Sequence, residues 1–196
     1  VHINEFQRIR QSGKIAICLK DNDQLVQVKL TSGNDQILIA ASNGKLVRFE
    51  ESNVRPMGRI SSGVKGINVD GSEVVGMTTD IENVPISYVL IYMDKEGKYI
   101  LVVTERGYGK MSPLEEYRLS NRGGKGVKTI HTTERNGKIV ALRAVNGDED
   151  LLIITDDGIM IRLPREQVTT AGRATQGVRL IKVNENNKVS SVEVVE

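Results

Sequence analysis

Short apolar runs, each closed by a polar turn that ends in glycine, recur along the chain. Ile37-Leu38-Ile39-Ala40-Ala41 leads into Ser42-Asn43-Gly44, Ile100-Leu101-Val102-Val103 into Thr104-Glu105-Arg106-Gly107, and Leu151-Leu152-Ile153-Ile154 into Thr155-Asp156-Asp157-Gly158. Runs of this length, bounded by a turn signal and rich in β-branched residues, read as buried strands entering a hairpin. A second glycine stands 19 residues after the first in every copy, at Gly63, Gly126 and Gly177. It opens Gly63-Val64-Lys65-Gly66-Ile67, Gly126-Val127-Lys128-Thr129-Ile130 and Gly177-Val178-Arg179-Leu180-Ile181, with Arg59, Arg122 or Arg173 four residues before it. An incomplete copy precedes these three. It has Gly13-Lys14-Ile15-Ala16-Ile17 with Arg8 and Arg10 nearby, then an acidic turn and a Val-rich strand, but no opening strand or first glycine turn.

Successive second glycines are 50, 63 and 51 residues apart. The long interval marks an insertion, placed between Thr78 and Lys98, where two turn-rich stretches bracket a strand predicted over Ser87–Met93. Repeats of this size holding four short strands point to propeller-like blades, none of which buries its apolar faces without a neighbour. Helix has little room. The two helix-like windows, Pro113–Tyr117 and Pro164–Val168, place Pro at the favoured first position of a single turn and read as connections between blades. The predicted fold is all-β, with about three and a half to four four-stranded blades in repeats over 1–33 (partial), 34–97, 98–146 and 147–196. The incomplete first copy makes the chain look like a piece of a longer array, closed on itself or with an exposed edge.

Composition narrows the function classes. The chain has 196 residues, with 39% apolar and 27% charged positions, as in ordinary globular domains. No apolar stretch is long enough for a membrane helix, and the first residues lack the pattern of an export signal. One cysteine and two histidines leave no disulfide framework and no zinc site. With 4% aromatics, stacking of single-stranded bases along a protein surface is not expected.

Charge is segregated along the repeats. The windows 8–20, 55–65, 118–128 and 171–182, one from each copy, hold 14 basic and no acidic residues in 47 positions, and the other 149 carry a net −12. Equivalent positions in a circular array project to equivalent places on its rim, so the sum is a basic belt on an acidic body. Such a belt fits the phosphate backbone of duplex DNA, and a curved one would bend the duplex. The alternative is that these cations only solvate loops. Candidate phosphate contacts are Arg8, Arg10, Lys14, Arg55, Arg59, Lys65, Arg122, Lys125, Lys128, Arg173, Arg179 and Lys182. Gly44, Gly107 and Gly158 read as tight-turn positions. Gly63, Gly126 and Gly177 read as structural too, although glycine beside basic residues also lets a phosphate approach the backbone.

No catalytic constellation emerges. Arg122-Gly123-Gly124-Lys125-Gly126-Val127-Lys128 could cradle a phosphate but is not a Walker A loop, so nucleotide binding is unsupported. His131, at a predicted strand end, has no nearby cysteine or acidic cluster, the carboxylates at Asp148–Asp150 and Asp156–Asp157 face no partner acid, and Cys18 in its apolar run reads as a core residue.

Gly107-Tyr108-Gly109-Lys110-Met111-Ser112-Pro113-Leu114-Glu115-Glu116-Tyr117, Arg122-Gly123-Gly124-Lys125-Gly126, Gly172-Arg173-Ala174-Thr175-Gln176-Gly177-Val178 and Arg55-Pro56-Met57-Gly58-Arg59 closely resemble the C-terminal domain family of bacterial DNA gyrase A. The resemblance covers the whole chain. It implies a six-bladed β-pinwheel with strands exchanged between blades and a basic rim that wraps duplex DNA, this chain corresponding to the last half of the third blade and the fourth to sixth. The family's Gln-basic-Gly-Gly-Lys/Arg-Gly wrapping signature belongs to a first blade outside this chain, and Ser120-Asn121 ahead of Arg122 makes the present copy a degenerate relative. By the same resemblance, the chain has no cofactor or catalytic residue of its own. ATP and Mg serve a type IIA topoisomerase holoenzyme formed with the rest of gyrase A and with gyrase B, in the bacterial cytoplasm at the nucleoid. The equivalent domain of topoisomerase IV, and a protein-interaction propeller using its acidic surface, are the alternatives.

Overall fold

The structure, a computed structural model, describes residues 1–80, 98–146 and 148–195. The strand predicted over Ser87–Met93 lies outside them. Three antiparallel hairpins follow the three apolar runs: β1 (Gln36–Ala41) with β2 (Lys45–Glu50), β4 (Tyr99–Thr104) with β5 (Tyr108–Pro113), and β8 (Asp150–Thr155) with β9 (Met160–Pro164). A third strand lies on the other side of each hairpin's first strand: β3 (Val74–Asp80) on β1, β7 (Ile139–Val145) on β4, and β11 (Val189–Val195) on β8. At the turns, Gly44, Gly107 and Gly158 have φ of +86°, +77° and +83°, the left-handed region that glycine enters without a Cβ penalty.

The fourth strand of a sheet comes from the following repeat. β6 (Val127–Lys128) pairs with β2, Val127 opposite Leu46 and Lys128 opposite Lys45. β10 (Val178–Arg179) pairs with β5, Val178 opposite Gly109 and Arg179 opposite Tyr108. The sheet orders are therefore β3-β1-β2-β6, β10-β5-β4-β7 and, with three strands, β11-β8-β9. β3 packs on β7 and β7 on β11, so these strands line the inner edge of the array and the donated strands its outer edge.

Alternation along β4 explains why the run is apolar throughout. Ile100 and Val102 enter one core with Leu38, Ala40 and Leu46 of the first sheet, whereas Leu101 and Val103 enter another with Leu151 and Ile153 of the third. Successive side chains point to opposite faces, and both faces of the middle sheet are covered. The donated segments add to these cores. Ile130 is fully buried in the first and Ile181 7% exposed in the second, each burial stabilising the exchange by about 1.5–3 kcal/mol.

The incomplete first copy differs from expectation. Among residues 1–35 only the 3-10 turn Ile3–Phe6 is regular, and the expected Val-rich strand does not form. Cys18 is exposed rather than a core residue. Ile15, Val28 and Leu30 are 64%, 75% and 76% exposed. Among the described residues no second strand precedes the Gly13-Lys14-Ile15 segment to seat it, and no first strand precedes residues 25–30 to give them the pairing that β3, β7 and β11 make with β1, β4 and β8. The single turns do form at Leu114–Glu116 and Arg165–Gln167, and a counterpart without proline spans Glu51–Asn53. His131 is exposed and lies outside any strand.

Gly126 (φ +69°) is where the donated segment meets its host: a Cβ there would stand 2.4 Å from the Leu46 carbonyl oxygen. Gly158 shares the positive φ, but nothing lies within 4 Å of its Cβ position. Gly126→Ala is therefore expected to cost more than about 3 kcal/mol by chemical denaturation, and Gly158→Ala about 1 kcal/mol, because backbone strain alone carries the smaller figure. Equal losses would contradict the close approach.

Candidate nucleic-acid interface

The basic windows 118–128 and 171–182 coincide with the donated segments and the turns before them. In the first sheet, the segment arrives alongside β2, where the Ser120 amide donates to the Arg48 carbonyl at 2.9 Å. It reverses through 121–125 and returns antiparallel as β6. In the second sheet, the Ala171 amide donates to the Met111 carbonyl at 2.8 Å before the chain reverses and returns as β10. The cations between are thus displayed along the outer edge.

Nine of the twelve candidate residues are exposed: Arg8, Arg10, Lys14, Arg55, Lys65, Lys125, Lys128, Arg179 and Lys182. Lys65 and Lys125, from successive repeats, both approach Asp70. The hydrogen bond and charge of Lys45, with the fields of Lys125 and Lys65, hold that carboxyl below its ordinary pKa. Lys14 Nζ donates to the Glu5 carbonyl at 3.1 Å.

The other three, Arg59, Arg122 and Arg173, are only half exposed, and they share one geometry. Each Nη1 donates to the carbonyl two residues after the second glycine of the preceding copy: Arg59 to Ile15 at 2.9 Å, Arg122 to Lys65 at 3.1 Å and Arg173 to Lys128 at 3.0 Å. Each also reaches the third residue of the preceding copy's 3-10 turn. Arg59 Nε stands 3.4 Å from the Glu5 carboxylate, Arg122 Nε donates to the Asn53 carbonyl at 3.0 Å, and Arg173 Nε is 3.9 Å from the Glu116 carboxylate. A parallel set of backbone bonds runs beside them, Cys18 to Ser61, Asn68 to Gly124 and His131 to Thr175, donor amide first, at 3.1, 2.8 and 2.9 Å. These arginines staple one repeat to the next, and this role was not legible in their spacing.

Lys110 and Arg135 fall outside the predicted set. Lys110 is completely buried on β5, its ammonium donating to the Gly172 carbonyl and to Ser112 Oγ, while Ser112 Oγ donates to the Ala171 carbonyl at 2.7 Å. Together they fix the turn that carries Arg173. Burial lowers the Lys110 pKa to about 8, opposed by Glu116 and helped by Arg173. Arg135 is exposed in the Arg135-Asn136-Gly137 turn, whose shape is set by Asn136: its Oδ1 accepts from the Thr133 amide, and its Nδ2 donates to the His131 and Gln176 carbonyls. The equivalent positions in the other copies are Ser72 and Asn186, so the repeat pattern hides it. Among the described residues, no group of three or more His, Cys, Asp or Glu side chains is placed to hold a metal ion. Nor, among them, is any helix long and apolar enough to cross a membrane.

A sequence profile described as "DNA gyrase C-terminal domain, beta-propeller" matches residues 1–32, 35–79, 98–146 and 149–196. The chain belongs to the DNA gyrase C-terminal domain family. It is 47% identical over 195 residues to DNA gyrase A of Staphylococcus epidermidis, and 47% identical over 194 residues to that of Staphylococcus aureus. Each alignment covers 98% of this chain and 20% of the relative, so the chain spans about a fifth of those proteins' length. A solved DNA gyrase A C-terminal domain superposes with a TM-score of 0.79 at 21% identity, over 95% of this chain and 59% of that one. The solved C-terminal domain of a DNA topoisomerase IV gives 0.85 at 25% identity, over 99% and 57%. The beta-propeller description of the gyrase C-terminal domain family agrees with the all-β, repeat-built architecture.

Two outcomes test the stapling and the buried ammonium. Arg122→Ala should lower stability by about 1–2 kcal/mol in urea, since two carbonyls lose a charged donor, whereas Arg55→Ala should change it by less than about 0.5 kcal/mol. Lys110 has a lower pKa folded than unfolded, so between about pH 8 and 10.5 the unfolded chain binds more protons and stability contributed at this site rises with pH. Wild type should accordingly gain stability relative to Lys110→Met as pH is raised through that window. A constant difference would place the Lys110 pKa at its ordinary value.

Proposed function

We propose that this chain is a non-catalytic module that binds and bends duplex DNA without regard to sequence. The observation that carries this reading is the set of exposed Lys and Arg side chains on and beside the two donated strands, with exposed cations at the equivalent sequence positions of the other two copies and acidic residues concentrated elsewhere. Spaced cations on a curved edge suit phosphates, which supply affinity through counterion release and no base readout. The staples suit the same task, because they hold successive cation groups at a fixed pitch. In the intact protein the module would guide one DNA segment around a type IIA topoisomerase assembled from gyrase A and gyrase B. Strand passage there is driven by ATP with Mg at other sites of the holoenzyme, in the bacterial cytoplasm. Candidate phosphate contacts are the nine exposed residues above, with Arg59, Arg122 and Arg173 contributing the N–H donors their staples leave over.

The superposition on the topoisomerase IV domain favours a second reading, the equivalent domain of that enzyme. An assembled parent enzyme that introduces negative supercoils with ATP supports the gyrase reading, and one that only relaxes and unlinks DNA supports the other.

Binding isotherms for two unrelated duplexes at several salt concentrations test the DNA reading. Affinity should be nearly equal for both and fall linearly on a log-log plot, with a slope of about −0.9 for each phosphate neutralised. A flat plot, or strong preference for one duplex, would refute it.

A further inference from the structure

Two arginines from separate segments converge on one tyrosine. Arg135 Nε donates to Tyr108 Oη at 3.0 Å and Arg179 Nη2 donates to the same oxygen at 2.9 Å. Their guanidinium carbons stand 5.3 and 5.4 Å from the centroid of the Tyr108 ring. The tyrosine is 5% exposed, whereas both arginines are exposed. Tyr108 follows the Gly107 turn on β5, Arg135 sits in the turn shaped by Asn136, and Arg179 arrives on the donated strand β10. Among the described residues, no carboxylate pairs with either arginine.

Bringing two guanidinium groups to one oxygen concentrates positive charge, which costs free energy unless an anion offsets it. The Tyr108 ring and hydroxyl offset only part, as a neutral cation-π platform and acceptor. Each guanidinium carries five N–H donors and commits one of them here. In the preceding repeat the position equivalent to Tyr108 is Lys45, and its charge is met by Asp70 at 3.1 Å. At Tyr108 the corresponding surface is left positive.

We propose that Arg135 and Arg179, held side by side on Tyr108, form a seat for one phosphate group of duplex DNA, with Tyr108 as the positioning residue. This rests on the DNA-binding reading above and joins Arg179, one of its candidate contacts, to Arg135 at the turn end of β5, a residue the repeat pattern does not contain. Paired guanidinium forks match the several oxygens of a phosphate and are not replaced by lysine at equal charge.

The test uses the 196-residue chain with a duplex and, separately, with inorganic phosphate. Tyr108→Phe keeps the ring and the net charge but frees both arginines, and should weaken duplex binding about three- to tenfold, with Arg135→Lys close behind. Arg135→Ala should weaken it at least as much as Arg135→Lys, whereas Arg106→Ala, an equal charge loss at a nearby exposed site, should cost less than about twofold. In the phosphate arm, the Nε–H resonances of Arg135 and Arg179 should shift saturably in wild type and not in Tyr108→Phe. Unmoved resonances in wild type, wild-type duplex affinity in Tyr108→Phe and Arg135→Lys, or an Arg106→Ala loss matching that of Arg135→Ala would each overturn the seat. Saturable phosphate binding without salt-dependent duplex binding would leave the seat standing and reject the DNA reading instead.

Discussion

The array depends on a pairing of two residues with two: β6 on β2, repeated as β10 on β5. A two-residue ladder is weak by itself, and its strength lies in what it brings along. Ile130 and Ile181 enter the inter-sheet cores, the glycine carbonyls at Gly44 and Gly107 gain amide donors from Thr129 and Leu180 at 2.8 Å, and an arginine staple closes the outside. Donation also decides where charge goes. A segment that must cross from one sheet to its neighbour runs along the outer edge, so the cations written into it are displayed there.

The staples and the cations serve the same edge from opposite sides. Arg59, Arg122 and Arg173 spend hydrogen bonds inward on the preceding repeat, while Lys65, Lys125 and Lys128 stand outward from the same few residues. Lys110 deepens this division. A fully buried ammonium is costly unless well bonded, yet here it holds the Gly172 carbonyl and with it the turn before Arg173.

The hairpins and their glycines were legible because local chemistry determines them: an apolar run, a polar turn and a positive φ need no distant partner. The second glycine was legible as a repeat mark but not as a point of contact, since only the fold brings Gly126 against Leu46. The core placement of Cys18 failed for the same reason. Its apolar run has the composition of a buried segment, and its neighbours stay exposed without a host strand. Arginine spacing disclosed a shared position in every copy, but a guanidinium looks identical in sequence whether it faces a carbonyl or a phosphate. Arg135 had no signal at all, because its partners, Tyr108 and Arg179, come from other segments.

Lys45 finds its strand partner in Lys128, more than eighty residues further along. A ribosome adding about 5–20 residues per second would leave β2 without that neighbour for roughly 4–16 s. During that interval the hairpin is a nascent structure with a bare edge, the condition under which strands mispair or aggregate. Lys45 and Arg48 on β2 put charge on that waiting edge, so the residues that later meet Asp70 and the Tyr117 carbonyl also guard an unfinished sheet while the chain is being made.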